Sequence, residues 1–155
     1  SEVESIFKCM GRNMFHCGPP GTGQAAKVCN NMAFSINMIS LCEALALGGK
    51  LGVDQKVLSK IISLSTGGSF ASSTYCPIKG LDSTSPASND FNHGFETKLM
   101  VKDVQLALRD ASQENLDLQF AKKAVEYYQA VVDKGLGKKD IGVMIDHVSS
   151  LKETD

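Results

Sequence analysis

From Gln24 to Leu47 the sequence contains neither proline nor glycine, so nothing in that stretch interrupts a helix. With its start at Thr22 and its stop at Gly48 and Gly49, such a helix is roughly 39 Å long at about 1.5 Å per residue, as long as a small domain is wide. Val28, Cys29, Met32, Phe34, Ile36, Ile39, Leu41 and Leu45 place apolar groups around nearly its whole circumference. Other helices must therefore cover it, and the sequence predicts a bundle built around one central helix.

The rest of the chain supplies those helices. Asp54 as N-cap, the stripe Val57, Leu58, Ile61 and Ile62, and the stop at Gly67 and Gly68 predict a second helix. Residues 66–94 are rich in Ser, Gly, Asn and Asp and read as a long loop in which SFASSTY can make one helical turn. Further helices are predicted over about Glu96–Ser112, Leu118–Lys134 with Gly135 as its stop, and Lys139–Leu151. In the third of these five, Phe95, Leu99, Lys102 and Leu106 share one face, with Met100, Val104, Ala107, Leu108 and Ala111 roughly opposite. Ahead of the central helix, Glu2–Met10 predicts a short helix and Asn13–Cys17 a short strand. The body is predicted to be all-α.

Composition narrows the function. The chain has 155 residues, 43% hydrophobic and 21% charged, the profile of a globular domain with a core. A net charge of -1 leaves no basic surplus for the phosphates of a nucleic acid, so no nucleic-acid partner is expected. No run approaches 18 consecutive apolar residues, and no membrane partner is expected either. The five cysteines, Cys9, Cys17, Cys29, Cys42 and Cys76, are odd in number and widely spaced, which predicts buried thiols of a reducing compartment and no metal site. The first residues have neither the apolar core of a secretory signal nor the arginines of a transit peptide.

Gly18 and Gly23 stand at the spacing of a phosphate-binding loop. That loop needs lysine and then Ser or Thr after its last glycine, and here Gln24 and Ala25 occupy those places, which excludes an ATPase of that type. The stretch GTGQAAKVCNN instead carries Lys27, Asn30 and Asn31. At about 100° per residue, Asn30 lies about 60° to one side of Lys27 and Asn31 about 40° to the other, so all three share one face. Burial without a carboxylate partner and the positive end of a helix dipole both favour a neutral amine, the form that accepts a proton. The plainer alternative is an exposed first-turn lysine followed by two surface amides.

GTGQAAKVCNN resembles the GxGxxxKxxNN signature of the β-hydroxyacid dehydrogenases, and GFETKLMVKDVQLALRDA resembles their F(x)6KD(x)2LA motif. The wording of CGPPGTGQAAKVCNNM, TYCPIKG and LMVKDVQLA is similar to the branch of that family that acts on 3-hydroxyisobutyrate. The resemblance implies an all-α fold like the C-terminal domain of 6-phosphogluconate dehydrogenase. It implies oxidation of a 3-hydroxy acid, 3-hydroxyisobutyrate to methylmalonate semialdehyde in valine catabolism, with NAD as cofactor, in the mitochondrial matrix. It makes Lys27 the catalytic general acid and base, Asn30, Asn31, Phe95 and Asp103 substrate-binding, and Lys102 cofactor-binding. It implies a homodimer or homotetramer joined through the helical domains.

The family's Rossmann half, with its GxGxxG turn, has no match in these residues. The expectation is therefore a remnant of that domain and a linker over residues 1–20, followed by a substrate and dimerisation domain over 21–155. Such a chain carries half an active site. A helical binding module without chemistry, or a related glyoxylate/succinic semialdehyde or tartronate semialdehyde reductase, are the alternatives.

Overall fold

The computed structural model describes residues 3–152, without the side chains of Glu4 and Ser5. It is all-α among the described residues: α1 (Glu4–Met10), α2 (Thr22–Lys50), α3 (Gln55–Leu64), α4 (Phe70–Ser73), α5 (Thr97–Gln113), α6 (Gln119–Val131) and α7 (Met144–Ser150). Short 3-10 turns at Pro86–Asn89 and Ile141–Val143 and a π turn at Val132–Leu136 complete it. The beginning of the first helix at Glu2 lies outside the described residues.

Helix α2 is the axis, and α3, α4, α5, α6 and α7 all pack on it. Its buried positions, Val28, Ser35, Met38, Leu41, Cys42, Leu45 and Gly48, recur at three- and four-residue spacing and form one stripe. By length and mean hydropathy, 1.4 over 18 residues, α2 could cross a membrane, and only a third of that window is buried. The bundle explains the buried part. An outward stripe of Ala33, Asn37, Ser40, Ala44 and Leu47 stays exposed.

The predicted stop of α2 at Gly48 and Gly49 is corrected: the helix runs through both to Lys50. A β-carbon on Gly48 would collide with Leu58 Cδ2, so this glycine lets α3 approach closely. The helix ends one turn later, where Gly52 takes φ +84°. There Val53 N–H donates to Gly48 C=O at 2.9 Å and Gly52 N–H to Gly49 C=O at 3.2 Å, a Schellman cap. Asp54 then caps α3 as predicted, its Oδ1 accepting from Val57 N–H at 2.9 Å. Helix α3 ends at Leu64, ahead of the predicted glycines.

Three other expectations change. No strand forms over Asn13–Cys17, which is irregular and exposed, because no neighbouring strand among the described residues completes its hydrogen bonds. Helix α6 leaves α geometry at Val132 and closes through the π turn around Gly135, φ +80°. The last helix begins only at Met144, since Asp140 first caps the 3-10 turn, its Oδ1 accepting from Gly142 N–H at 2.8 Å. Cys42 and Cys76 are buried as expected, whereas Cys9, Cys17 and Cys29 are exposed. Cys9 and Cys17 lie in a leading segment that buries little, and Cys29 is turned about 100° from buried Val28.

The connection into α5 is a knot of main-chain bonds. Thr97 N–H and Lys98 N–H, which have no partner inside their own helix, donate to the carbonyls of Lys139 and Gly137 at 2.8 and 3.0 Å. Phe95 C=O accepts from Ile141 N–H at 2.9 Å. Phe95 N–H donates to Asp140 Oδ2 at 2.7 Å, and Tyr75 Oη donates to the same oxygen at 2.5 Å. Asp140 is 2% exposed, and burial pushes its carboxyl above the usual range despite these donors. Gly94 is required here twice over. Its φ is +115°, and a β-carbon would collide with Asp140 Oδ2 and stand 2.5 Å from Tyr75 Oη.

At the other end, Lys134 Nζ lies 3.0 Å from His147 Nδ1. An ammonium only donates, so Nδ1 accepts and the ring is the Nε2–H tautomer. The ring is buried and packs edge-on against Tyr127. Burial first, and the Lys134 charge second, lower its proton affinity below the ordinary histidine value.

Two predictions follow from the packing. Gly94→Ala should lower unfolding free energy by about 2–3 kcal/mol in urea titrations, whereas Gly23→Ala, whose β-carbon would meet nothing within 4 Å, should be neutral or slightly stabilising. Equal midpoints for the two variants would contradict the assignment. The unfolded chain binds a proton at residue 147 more readily than the folded one. Stability is thus full above about pH 6.5 and falls as pH drops below it. The urea midpoint should decline from pH 7.5 to 5.5, and His147→Gln should remove part of that decline; a parent midpoint flat across the range would refute it.

Candidate active site

The chain enters α2 through two glycines in the left-handed region, Gly18 at φ +120° and Gly21 at φ +97°. Gly21 is the N-cap, and Thr22 Oγ1 donates to Pro19 C=O at 2.8 Å. This turn fixes where α2 begins, and therefore which face Lys27, Asn30 and Asn31 present.

The structure joins that face to α5. Asn31 Nδ2 donates to Asp103 Oδ2 at 2.7 Å, across a sequence separation of 72 residues. A carboxylate accepts only, so the contact fixes the orientation of the Asn31 amide: nitrogen toward Asp103, oxygen away. Asn30 Nδ2 reaches that oxygen at 3.4 Å. Asn31 and Asp103 are half-buried, and Asn30 is exposed. Lys27 is exposed as well. The burial anticipated for its amine is not provided among the described residues, where the first turns of α2 stay exposed.

Helix α5 presents two faces, as the spacing predicts. Thr97, Met100, Val101, Val104, Ala107 and Ala111 are buried. The opposite face keeps Lys102 exposed and Leu99 43% exposed, with Phe95 half-buried at its head. Neither Lys27 nor Lys102 is paired with a carboxylate among the described residues. These two lysine amines thus flank the Asn31–Asp103 bond along the chain, four residues before Asn31 and one before Asp103.

An aromatic cluster adjoins α2 further along. Phe34 lies about 20° from Lys27 on the helix wheel, two turns on. Its ring meets Tyr75 edge-on at 5.5 Å and Phe70 at 5.8 Å, and Phe70 stacks on Tyr75 at 6.1 Å. Burial, then the bond to Asp140, raises the Tyr75 phenol well above its ordinary value. Sequence reasoning singled out neither Tyr75 nor Asp140. Asp-Ile-Gly at 140–142 has the look of a cap, but nothing local says that its carboxylate also holds Phe95. A groove of about 450 Å³ lies elsewhere, between α2 and α6, lined by Ile36, Ile39, Phe120 and Tyr127.

Residues 21–148 match the family described as NAD-binding of NADP-dependent 3-hydroxyisobutyrate dehydrogenase. The mitochondrial 3-hydroxyisobutyrate dehydrogenase of Drosophila melanogaster is 42% identical over 93% of this chain and 44% of its own length. The NAD-dependent L-serine dehydrogenase of Pseudomonas aeruginosa is 40% identical over 92% of this chain and 48% of its own. The structure of Mycobacterium tuberculosis 3-hydroxyisobutyrate dehydrogenase with L-serine superposes with a TM-score of 0.87 at 35% identity, covering 96% of this chain and 51% of that one. The chain spans less than half the length of these curated relatives. On these matches it belongs to the 3-hydroxyisobutyrate dehydrogenase family of NAD(P)-dependent β-hydroxyacid dehydrogenases, as that family's all-helical C-terminal domain.

Proposed function

We propose that this chain is the substrate-binding and dimerisation domain of an NAD-dependent 3-hydroxyisobutyrate dehydrogenase, with residues 1–20 as linker and the tail of a dinucleotide-binding domain. The observation that carries the reading is the Asn31–Asp103 bond, which brings the two signature motifs to one place. Bound NAD supplies the hydride acceptor for the carbon that bears the substrate hydroxyl. Lys27 takes the proton of that hydroxyl during oxidation and returns it in the reverse direction. Asn31, with its nitrogen tied to Asp103, and Asn30 direct polar atoms toward the substrate, and Phe95 limits the space beside it. The exposed ammonium of Lys102 fits the negative charge of a dinucleotide, with the open apolar edge of Leu99 beside it.

The exposure of Lys27 fits a cleft whose other wall belongs to the dinucleotide-binding half. A related reading is serine as the 3-hydroxy acid, favoured by the L-serine dehydrogenase of Pseudomonas aeruginosa and by the Mycobacterium tuberculosis structure with L-serine. The two substrates share the 3-hydroxy carboxylate and differ in the group on the adjacent carbon. The open stripe on α2, the groove beside it and Phe120, 80% exposed, support association of two or four copies through the helical domains. The mitochondrial relatives support a mitochondrial matrix location.

In the intact enzyme, Lys27→Ala should reduce kcat for 3-hydroxyisobutyrate by about 10²- to 10⁴-fold while NADH binding and the melting temperature stay near the parent's. A variant within a few-fold of the parent would overturn the role of Lys27.

A further inference from the structure

We propose that Tyr75 and Asp140 are positioning residues for the active site, setting the distance between the Lys27 face of α2 and the head of α5. The inference rests on the function proposed above. Tyr75 touches both sides: its ring packs edge-on against Phe34, in line with Lys27, while its hydroxyl reaches the main chain of Phe95. Phe95 N–H lies 2.7 Å from Asp140 Oδ2 and 3.0 Å from Tyr75 Oη, so one main-chain donor is shared by both members of the pair. Asp140 Oδ1 is meanwhile held by Gly142 N–H. Every group that fixes Phe95, on its nitrogen and on its oxygen, comes from residues 75, 140 and 141.

A buried carboxylate is a poor way to gain stability alone, because its desolvation consumes much of what its hydrogen bonds return. What it supplies here is direction. Apolar side chains of equal volume would fill the space without fixing a peptide plane. The neighbouring backbone is also held in uncommon conformations, Asp90 at φ +51° and Phe91 at φ +58°, with Phe91 C=O accepting from Asp140 N–H at 2.8 Å. Strained residues of this kind persist where the surroundings over-determine them. Two residues after Phe95, α5 begins at Thr97 and runs without a break through Lys102 and Asp103, so rotation at its head displaces the cofactor lysine and the partner of Asn31 together.

The test is kinetic, in the intact enzyme with NAD and 3-hydroxyisobutyrate. Tyr75→Phe should lower kcat/KM about tenfold, chiefly through KM, with little change in melting temperature. Asp140→Asn, which keeps the volume but weakens the hold on Phe95 N–H, should shift KM in the same direction. Tyr128→Phe is the control: it removes a hydroxyl that is wholly buried and donates to Ser35 C=O at 3.0 Å. It should alter stability and leave KM unchanged. Hydrogen exchange at the Phe95 amide should accelerate in Tyr75→Phe and not in Tyr128→Phe. An active parent matched within twofold by Tyr75→Phe, or a Tyr128→Phe variant with the same rise in KM, overturns this inference alone. A parent that turns over no 3-hydroxy acid overturns the proposed function and this inference with it.

Discussion

The hydrogen bond between Asn31 and Asp103 is the constraint on which the organisation of this domain turns. Helices α2 and α5 otherwise meet through apolar side chains, and apolar contact is tolerant of sliding and rotation. One amide donating to one carboxylate at 2.7 Å is not. It fixes the register in which the helices cross and selects which way the Asn31 amide faces. The rest of the fold serves that crossing. The Schellman cap at Gly52 ends α2, close approach at Gly48 seats α3, and the turn at residues 137–141 seals the head of α5.

Much of this was legible in the sequence because it depended on local chemistry. The long interval free of breakers predicted α2, and Asp54 marked the start of α3. The spacing after Phe95 put Met100, Val104 and Ala107 on one face of α5 and Lys102 on the opposite one, and the structure buries the first face and leaves Lys102 exposed. Where local chemistry and packing disagreed, packing won. Gly48 reads as a helix stop, yet its missing side chain makes room for Leu58, and the helix continues. Asn13–Cys17 has the composition of a strand, but a strand needs a neighbour to accept its hydrogen bonds.

The candidate site was legible in part. Motif spacing placed Lys27, Asn30 and Asn31 on one face, and the structure adds Asp103, which a helix wheel cannot reach across 72 residues. It also removes an assumption. The N-terminal turns of α2 are open, so nothing among the described residues shields the Lys27 amine. Tyr75 and Asp140 went unread because each contributes through a contact distant in sequence, and neither stands in a run with any periodicity.

On the function proposed above, the α2–α5 crossing acts through Asn31 and Asp103 as one functional unit and not as two independent patches. A double-mutant cycle on kcat/KM in the intact enzyme, with Asn31→Ala, Asp103→Ala and the pair, tests it most directly. Each single change is expected to cost activity, and the double variant to lose little more than the worse single, a coupling of about 1–3 kcal/mol. Losses that simply add, or single variants indistinguishable from the parent, would contradict it.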